Sequence, residues 1–383
     1  MENRKLGRSG LDVGVLGVGT EYLLGPRETL IDVVHEAIAH GMNFFDLLMG
    51  NPEVRDMFGE AFRGIARQRI VLAGHLGTIF TEAGQGWASR DVALCESFFE
   101  DQMQRLHTDY LDVAMLQFVD EEDEYIRVMG PDGLLDLARK LKQQGKVRAI
   151  GLSSHMTPVA LRAVESGDID ILMFPVNPAF DVLPGYNKSL DGLFAGVNTV
   201  DVHAVIANAP SRKDLYHACA RHGVGLVAMK PYACGWLFKP ELYTAQPLTP
   251  VHCLSYAQAQ PGVSTVVPGV KNLDELRAAL RYLDATPEEK DYSAAVANSR
   301  WNLTGACMYC GHCMPCPSGL DIAATNRLLD AAAGGVTPEL REHYHTLPKP
   351  ASACTACGAC SAICPFGVDV AEKMQGGKEL FGY

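Results

Sequence analysis

Twelve cysteines occur in this chain of 383 residues, and eight of them fall between Cys307 and Cys364. They form two runs, Cys307-Met-Tyr-Cys310-Gly-His-Cys313-Met-Pro-Cys316-Pro317 and Cys354-Thr-Ala-Cys357-Gly-Ala-Cys360-Ser-Ala-Ile-Cys364-Pro365. Where thiols stay reduced, so dense a block argues for metal rather than disulfides. Zinc sites usually join two well-separated cysteine pairs, whereas each run here packs four thiols into about ten residues. The second run has the C-x2-C-x2-C-x3-C-P spacing, in which three thiolates wrap one [4Fe–4S] cube and the proline turns the fourth towards a neighbouring cube. Two runs therefore predict two [4Fe–4S] clusters. Exchange of the fourth ligands would put Cys307, Cys310 and Cys313 with Cys364, and Cys354, Cys357 and Cys360 with Cys316. The first run is one residue shorter before Cys316, so that exchange stays open. Trp301, Tyr309 and His312 flank the first run and are read as a shield against solvent.

The other 285 or so residues must supply whatever those clusters serve. Short apolar runs alternate with amphipathic stretches eight times. The strand expectations are Val15–Thr20, Asn43–Leu48, Ile70–Leu76, Leu111–Phe118, Val147–Ser153, Ile169–Val176, Gly225–Lys230 and Ser264–Pro268. Helical periodicity fills most gaps, over Glu28–His40, Arg90–Leu106, Leu134–Gln144, Pro158–Ser166, Asp214–His222 and Leu273–Leu283. Continuous hydrophobic strands are the mark of a parallel sheet covered on both faces. The expectation is an α/β chain. A (β/α)8 TIM barrel over residues 1–286, with its site at the carboxyl ends of the strands, precedes a small, mostly helical iron–sulfur domain over 287–383. The stretch Ala179–Pro210 reads as an irregular insertion after the sixth strand, of a length that often covers a site.

With 33 Lys and Arg against 45 Asp and Glu the formal charge is −12, which argues against nucleic acid and anionic membranes as partners. Met1–Asp12 carries no apolar signal-peptide core, and no apolar run nears the roughly 18 residues a spanning helix needs. The expected location is the cytoplasm.

Several short motifs carry a family resemblance. Asn43-Phe-Phe-Asp46, Gly145-Lys-Val-Arg-Ala-Ile-Gly-Leu-Ser153, Val227-Ala-Met-Lys230-Pro231 and Gly262-Val-Ser-Thr-Val-Val-Pro268-Gly269 resemble the aldo-keto reductases. The closest likeness is to the branch with a carboxy-terminal, ferredoxin-like two-cluster module. The resemblance implies oxidoreductase chemistry on a small molecule, with NAD(P) as cofactor. The family reduces carbonyls with a Tyr, a Lys, an Asp and an orienting His. Of these four positions Asp46 is kept. The Lys position is His75, the His position is Gln117, and the Tyr position falls on Met49 or Asn51. Among cofactor contacts, Ser153 stands in a Ser-Ser pair, Asn177 follows Val176, and the phosphate turn Pro268-Gly269 survives. The residues that grip the adenosine end become Glu275 and Ala278-Ala279. A glycine turn opening a helix suits the phosphate of NAD(P) or FMN.

Asp46 and His75, on adjacent strand ends, are the first candidates for proton transfer, with His155 and Tyr22 as further catalytic candidates. Lys230 is a candidate anion or cofactor contact. Glu21, Cys234 and His203 are placed near the site with roles left open. A cluster passes one electron at a time and a nicotinamide two, so direct coupling calls for an intermediary such as flavin. Three readings stand: an iron–sulfur oxidoreductase, a lyase or isomerase that uses Asp46 and His75 beside structural clusters, and a non-catalytic electron-transfer subunit.

Overall fold

The computed structural model describes residues 1–48, 51–80, 86–181, 212–240, 245–298, 305, 307, 309, 313–332, 335–364 and 367–382. Met49, His203, Trp301, Cys310, His312 and Pro365 lie outside them, as does the expected insertion beyond Asp181 up to residue 211.

Eight parallel strands form the barrel: β3 (Val18–Gly19), β4 (Phe44–Asp46), β5 (Val71–Leu76), β8 (Leu111–Leu116), β9 (Val147–Ser153), β10 (Ile171–Pro175), β11 (Gly225–Met229) and β12 (Val263–Val267). They hydrogen-bond in that order, and bridges Leu16–Val266 and Gly19–Gly269 close the ring between first and last. Every residue of β5, β8 and β10 is buried, which is why these segments read as unbroken apolar runs rather than alternating ones. Helices such as Arg27–Ala39, Val92–Arg105, Leu134–Gln143 and Leu273–Asp284 pack outside, and their apolar stripes join one large core with the strands.

Several elements had no counterpart in the sequence expectation, the helices Glu122–Met129 and Pro250–Ala259 among them. A short antiparallel hairpin, β1 (Asn3–Lys5) with β2 (Asp12–Gly14), plugs the amino-terminal end of the barrel. Its Leu6, Leu11 and Val13 join Phe44, Val71, Val113 and Met173 in an inner core. Gly7 there has φ +52°, and an added Cβ would lie 2.1 Å from the Gly225 nitrogen, so the turn can approach β11 only without a side chain. A second hairpin, β6 (Thr78–Phe80) with β7 (Gly86–Ala88), follows the third barrel strand. The helix Pro52–Ala61 was likewise not anticipated.

Beyond residue 286 come two short helices, Pro287–Lys290 and Ser293–Ala297, and then the cysteine module with helices Ile322–Ala331, Pro338–His345 and Val370–Phe381. Tyr344 stacks on Phe381 at 3.9 Å. The module has no apolar core of its own that stops at the barrel. One cluster runs from Ala233, Leu237, Cys253 and Tyr256 through Tyr292 and Val296 to Leu320, Leu329 and Met374.

Candidate functional site

The carboxyl ends of the strands open into a cavity of about 540 Å³ lined by residues of several strands and loops, a size typical of a cofactor or substrate site. Asp46 ends β4 and His75 lies in β5, and parallel register sets their side chains together. His75 Nε2 donates to Asp46 Oδ1 at 2.6 Å. Both are buried, at 8% and 6% exposure. A carboxylate only accepts, so Nε2 carries a proton, and in the neutral ring Nδ1 keeps its lone pair. That Nδ1 has no hydrogen-bond partner, and neither has the Oε1 of buried Gln117 on the next strand end, whose N donates to Leu76 O. Two unpartnered polar atoms on residues that line one cavity are what a bound polar ligand would satisfy.

A second carboxylate–histidine pair stands further round the ring, after β9. Asp120 accepts from the His155 backbone N at 2.6 Å, from His155 Nδ1 at 3.0 Å and from Ser154 Oγ at 3.1 Å. With Nδ1 protonated, His155 Nε2 is left to accept from Lys230 Nζ at 3.0 Å. Burial works to raise the Asp120 carboxyl, but the hydrogen bonds and charge of His155 hold it below the usual range. Phe118 stacks on the imidazole at 6.0 Å and 17°. Lys230 itself sits at φ 52°, and Ala233 and Cys234 in the same loop at φ 46° and 54°. Non-glycine residues in the left-handed region cost about 1–2 kcal/mol each, and such strain tends to collect at functional sites.

Sequence-predicted residues are brought together unevenly. Asp46, His75, His155, Tyr22, Ser153, Lys230 and Gly269 all line the cavity. Asn177 is fully buried and does not line it: its Nδ2 donates to Lys230 O and its Oδ1 accepts from Phe180 N, so it fixes the Lys230 loop. Pro268 contributes its carbonyl to Gly19 N. Glu21 and Cys234 also line the cavity. Burial raises the Glu21 carboxyl, with Lys230 pulling the other way. Burial, with Glu21 and a hydrogen bond to Cys234, pushes Tyr22 up to about 12. Burial also raises the Cys234 thiol, which keeps it protonated and a poor nucleophile. Below the phosphate turn, Glu275 Oε2 accepts from Lys271 N, and Asn272 Oδ1 accepts from Glu275 N. A carboxylate of this chain thus occupies the amino end of the last barrel helix.

The cysteine runs share a backbone device. The second residue after each leading cysteine is left-handed, Tyr309 at φ 54° and Ala356 at φ 52°. Such turns aim successive N–H groups inward, as a polyanionic cluster requires. Ala356 N donates to Cys354 Sγ and Asn326 Nδ2 to Cys307 Sγ, both at 3.4 Å. Cys316, Cys354, Cys357 and Cys360, with Cys313, line a small cavity of about 80 Å³. Among the described residues no three Cys, His, Asp or Glu side chains converge on a point fit for a single metal ion.

Residues 11–183 match the aldo/keto reductase family, and residues 304–368 a 4Fe-4S dicluster domain. That first part of the barrel is an aldo/keto reductase domain. Among curated relatives of this chain is an uncharacterized oxidoreductase, YqkF, of Bacillus subtilis, 25% identical over 299 residues that cover 74% of this chain and 92% of that one. Another is an NADH-specific methylglyoxal reductase of Escherichia coli, 25% identical over 194 residues that cover 45% and 58%. The holo structure of aldo-keto reductase AKR11C1 from Bacillus halodurans superposes with a TM-score of 0.57 at 24% identity, over 77% of this chain and 96% of that one. This likeness speaks to the fold. No helix among the described residues is long and apolar enough to cross a membrane.

Asp120, Lys213 and Asn326 were not anticipated. Asp120 opens the acidic stretch Asp120-Glu-Glu-Asp-Glu124, where one carboxylate looks like the next. Lys213 and Asn326 lie in ordinary amphipathic helices.

Proposed function

We propose that this aldo/keto reductase moves electrons between two [4Fe–4S] clusters, held by its eight clustered cysteines, and a substrate or phosphate-bearing cofactor in the cavity at the barrel mouth. The observation that carries the proposal is the helix Arg212–His222, which walls the barrel and also meets the module: Lys213 donates to Cys307 O, and Tyr309 OH lies 3.4 Å from His217 Nε2. The cysteine module and the barrel share one packed core, which is what electron exchange between them would need.

The cavity residues fit a nucleotide or flavin in kind. Ser153, Lys230 and Gly269 would hold it, and a flavin there would supply the two-electron to one-electron exchange that neither the clusters nor a nicotinamide can. His75, held by Asp46, gives or takes a proton at Nδ1. Lys230, held by His155 and Asp120, fixes a negatively charged group. The apolar lining of Phe118, Met173, Met229 and Phe238 keeps water out of the proton's way. Glu275 repels an extra phosphate at the adenosine end, so NADH is expected to bind more tightly than NADPH, with Glu275→Arg narrowing the difference. Acid precipitation of anaerobically purified protein, followed by fluorescence and absorbance of the supernatant, tests the cofactor. A released flavin or a saturable response to NADH supports the proposal. Neither one, for either nicotinamide, would remove the barrel from the electron path.

A second reading is favoured by the two carboxylate–histidine pairs, which are proton-handling groups that need no hydride. On it the chain is a lyase or isomerase and the clusters hold the module together. Clusters that stay oxidised while the chain turns over a substrate would select this reading.

A further inference from the structure

The two cysteine runs fold alike but stand in unlike surroundings. Around Cys307 the described side chains are rich in positive charge. Lys213, from the barrel helix, donates to the Cys307 carbonyl. Tyr309 is buried and donates to Asp330 Oδ2 at 2.6 Å, Lys373 pairs with the same carboxylate, and the cations of Lys213 and Arg327 lie over the Tyr309 ring at 5.1 and 5.6 Å. Three cations thus gather round the Tyr309–Asp330 pair beside the first run. Asn326 is 1% exposed and aims Nδ2 at Cys307 Sγ, while its Oδ1 finds no hydrogen-bond partner. Leaving a buried carbonyl oxygen unsatisfied costs roughly 1–3 kcal/mol, so an amide placed there at that cost is best explained by what its N–H does for the sulfur.

Around Cys354 the surroundings are the reverse. The N–H to its sulfur comes from the backbone of Ala356. Thr355, Ala356, Cys357 and Ala359 are exposed, and Ile363, which lines the same small cavity, is 50% exposed.

We propose that the cluster on Cys307, Cys310 and Cys313 is the barrel-facing member of the pair, with a reduction potential raised by Lys213 and Asn326, and that the cluster on Cys354, Cys357 and Cys360 faces solvent and lacks that control. The proposal rests on the two-cluster reading above. Reduction adds a negative charge to an already anionic body, and nearby positive charge and N–H···S bonds stabilise the reduced form. Water screens charges near the exposed cluster, so a cation added there acts more weakly. Lys213 and Asn326 are therefore tuning residues that reach the electron path without touching substrate. Because Lys213 belongs to the barrel, the barrel itself sets the potential of the cluster nearest to it.

The test is an anaerobic redox titration of the full chain, followed by electron paramagnetic resonance, for the native protein and three variants. Iron and sulfide are counted first. About eight irons per chain are expected, and a count near four or none refutes the two-cluster reading before any potential is measured. With both clusters present, Lys213→Met and Asn326→Leu should each lower the same one of two midpoint potentials and leave the other in place. Thr355→Lys, on the exposed side, should raise the other one by a smaller amount. Asn326→Leu keeps the question answerable if Lys213→Met loses iron. Both potentials unmoved in Asn326→Leu, both moved alike, or the same feature moved by Thr355→Lys and Asn326→Leu would overturn the assignment.

Discussion

His75 donates through one ring nitrogen to a buried carboxylate and holds the other without a protein partner. That arrangement fixes the tautomer and leaves a basic atom for a ligand's proton. Removing it should cost chemistry more than folding. His75→Ala is expected to slow turnover by ~10²–10⁴-fold, the usual weight of a positioned acid–base group, with the far-ultraviolet spectrum unchanged. Steady-state rates with the donor that reduces the clusters would check this, and full turnover in the variant would make the pair structural. Asp46 and His75 were legible in the sequence because each ends a strand that reads plainly as buried and parallel. Asp120 was not legible. It acts through a loop that brings it back onto His155, and nothing local distinguishes it from the acids that follow.

At the scale of elements, Asp181 ties three segments together. Arg212 Nε, Tyr216 OH and Tyr256 OH donate to it at 2.8, 2.6 and 2.8 Å, joining the short helix Pro178–Asp181 after β10 to the helices Arg212–His222 and Pro250–Ala259. Arg212 and Asp181 are buried, and Arg212 also lies over Phe174 at 4.4 Å. Breaking one side of a buried pair leaves the other charge uncompensated. Asp181→Ala should therefore lose about 3–5 kcal/mol, read as a lower midpoint in urea unfolding. A change within about 0.5 kcal/mol would contradict it.

The same helix carries a titrating group. Burial pulls His217 down from 6.5 to about 4, with Asp330 opposing. The unfolded chain thus takes up the proton first as pH falls. Stability from the neutral ring is whole above 6.5 and drains away as pH drops through 6.5 towards 4. Between pH 7 and 5 this amounts to about 2 kcal/mol. His217→Asn should flatten the fall in stability over that interval. Equal slopes in both proteins would place the ring in water.

Strand β9 runs over Val147–Ser153, the bounds the sequence implies, because its apolar run is flanked by Gly145-Lys146 and by a loop serine. The hairpin plug escaped notice for the opposite reason. Strands of three residues are too short to show alternation, and their partners are each other. Barrel and module were readable separately, one from eight repeats of strand and helix, the other from cysteine spacing. Their union was not, since it depends on Ala233, Leu237 and Tyr256 meeting Leu329 and Met374, which no periodicity links.

For the whole molecule, the account holds that one packed body joins a proton-handling cavity to an electron-carrying module. The most direct measurement is cluster absorbance under strict anaerobiosis, in chain carrying about eight irons, as NADH or NADPH is added with and without FMN. The account predicts that the clusters bleach with at least one donor, and that His75→Ala slows the bleaching without changing the iron count. Clusters that stay oxidised with every donor, yet bleach with dithionite, would contradict it.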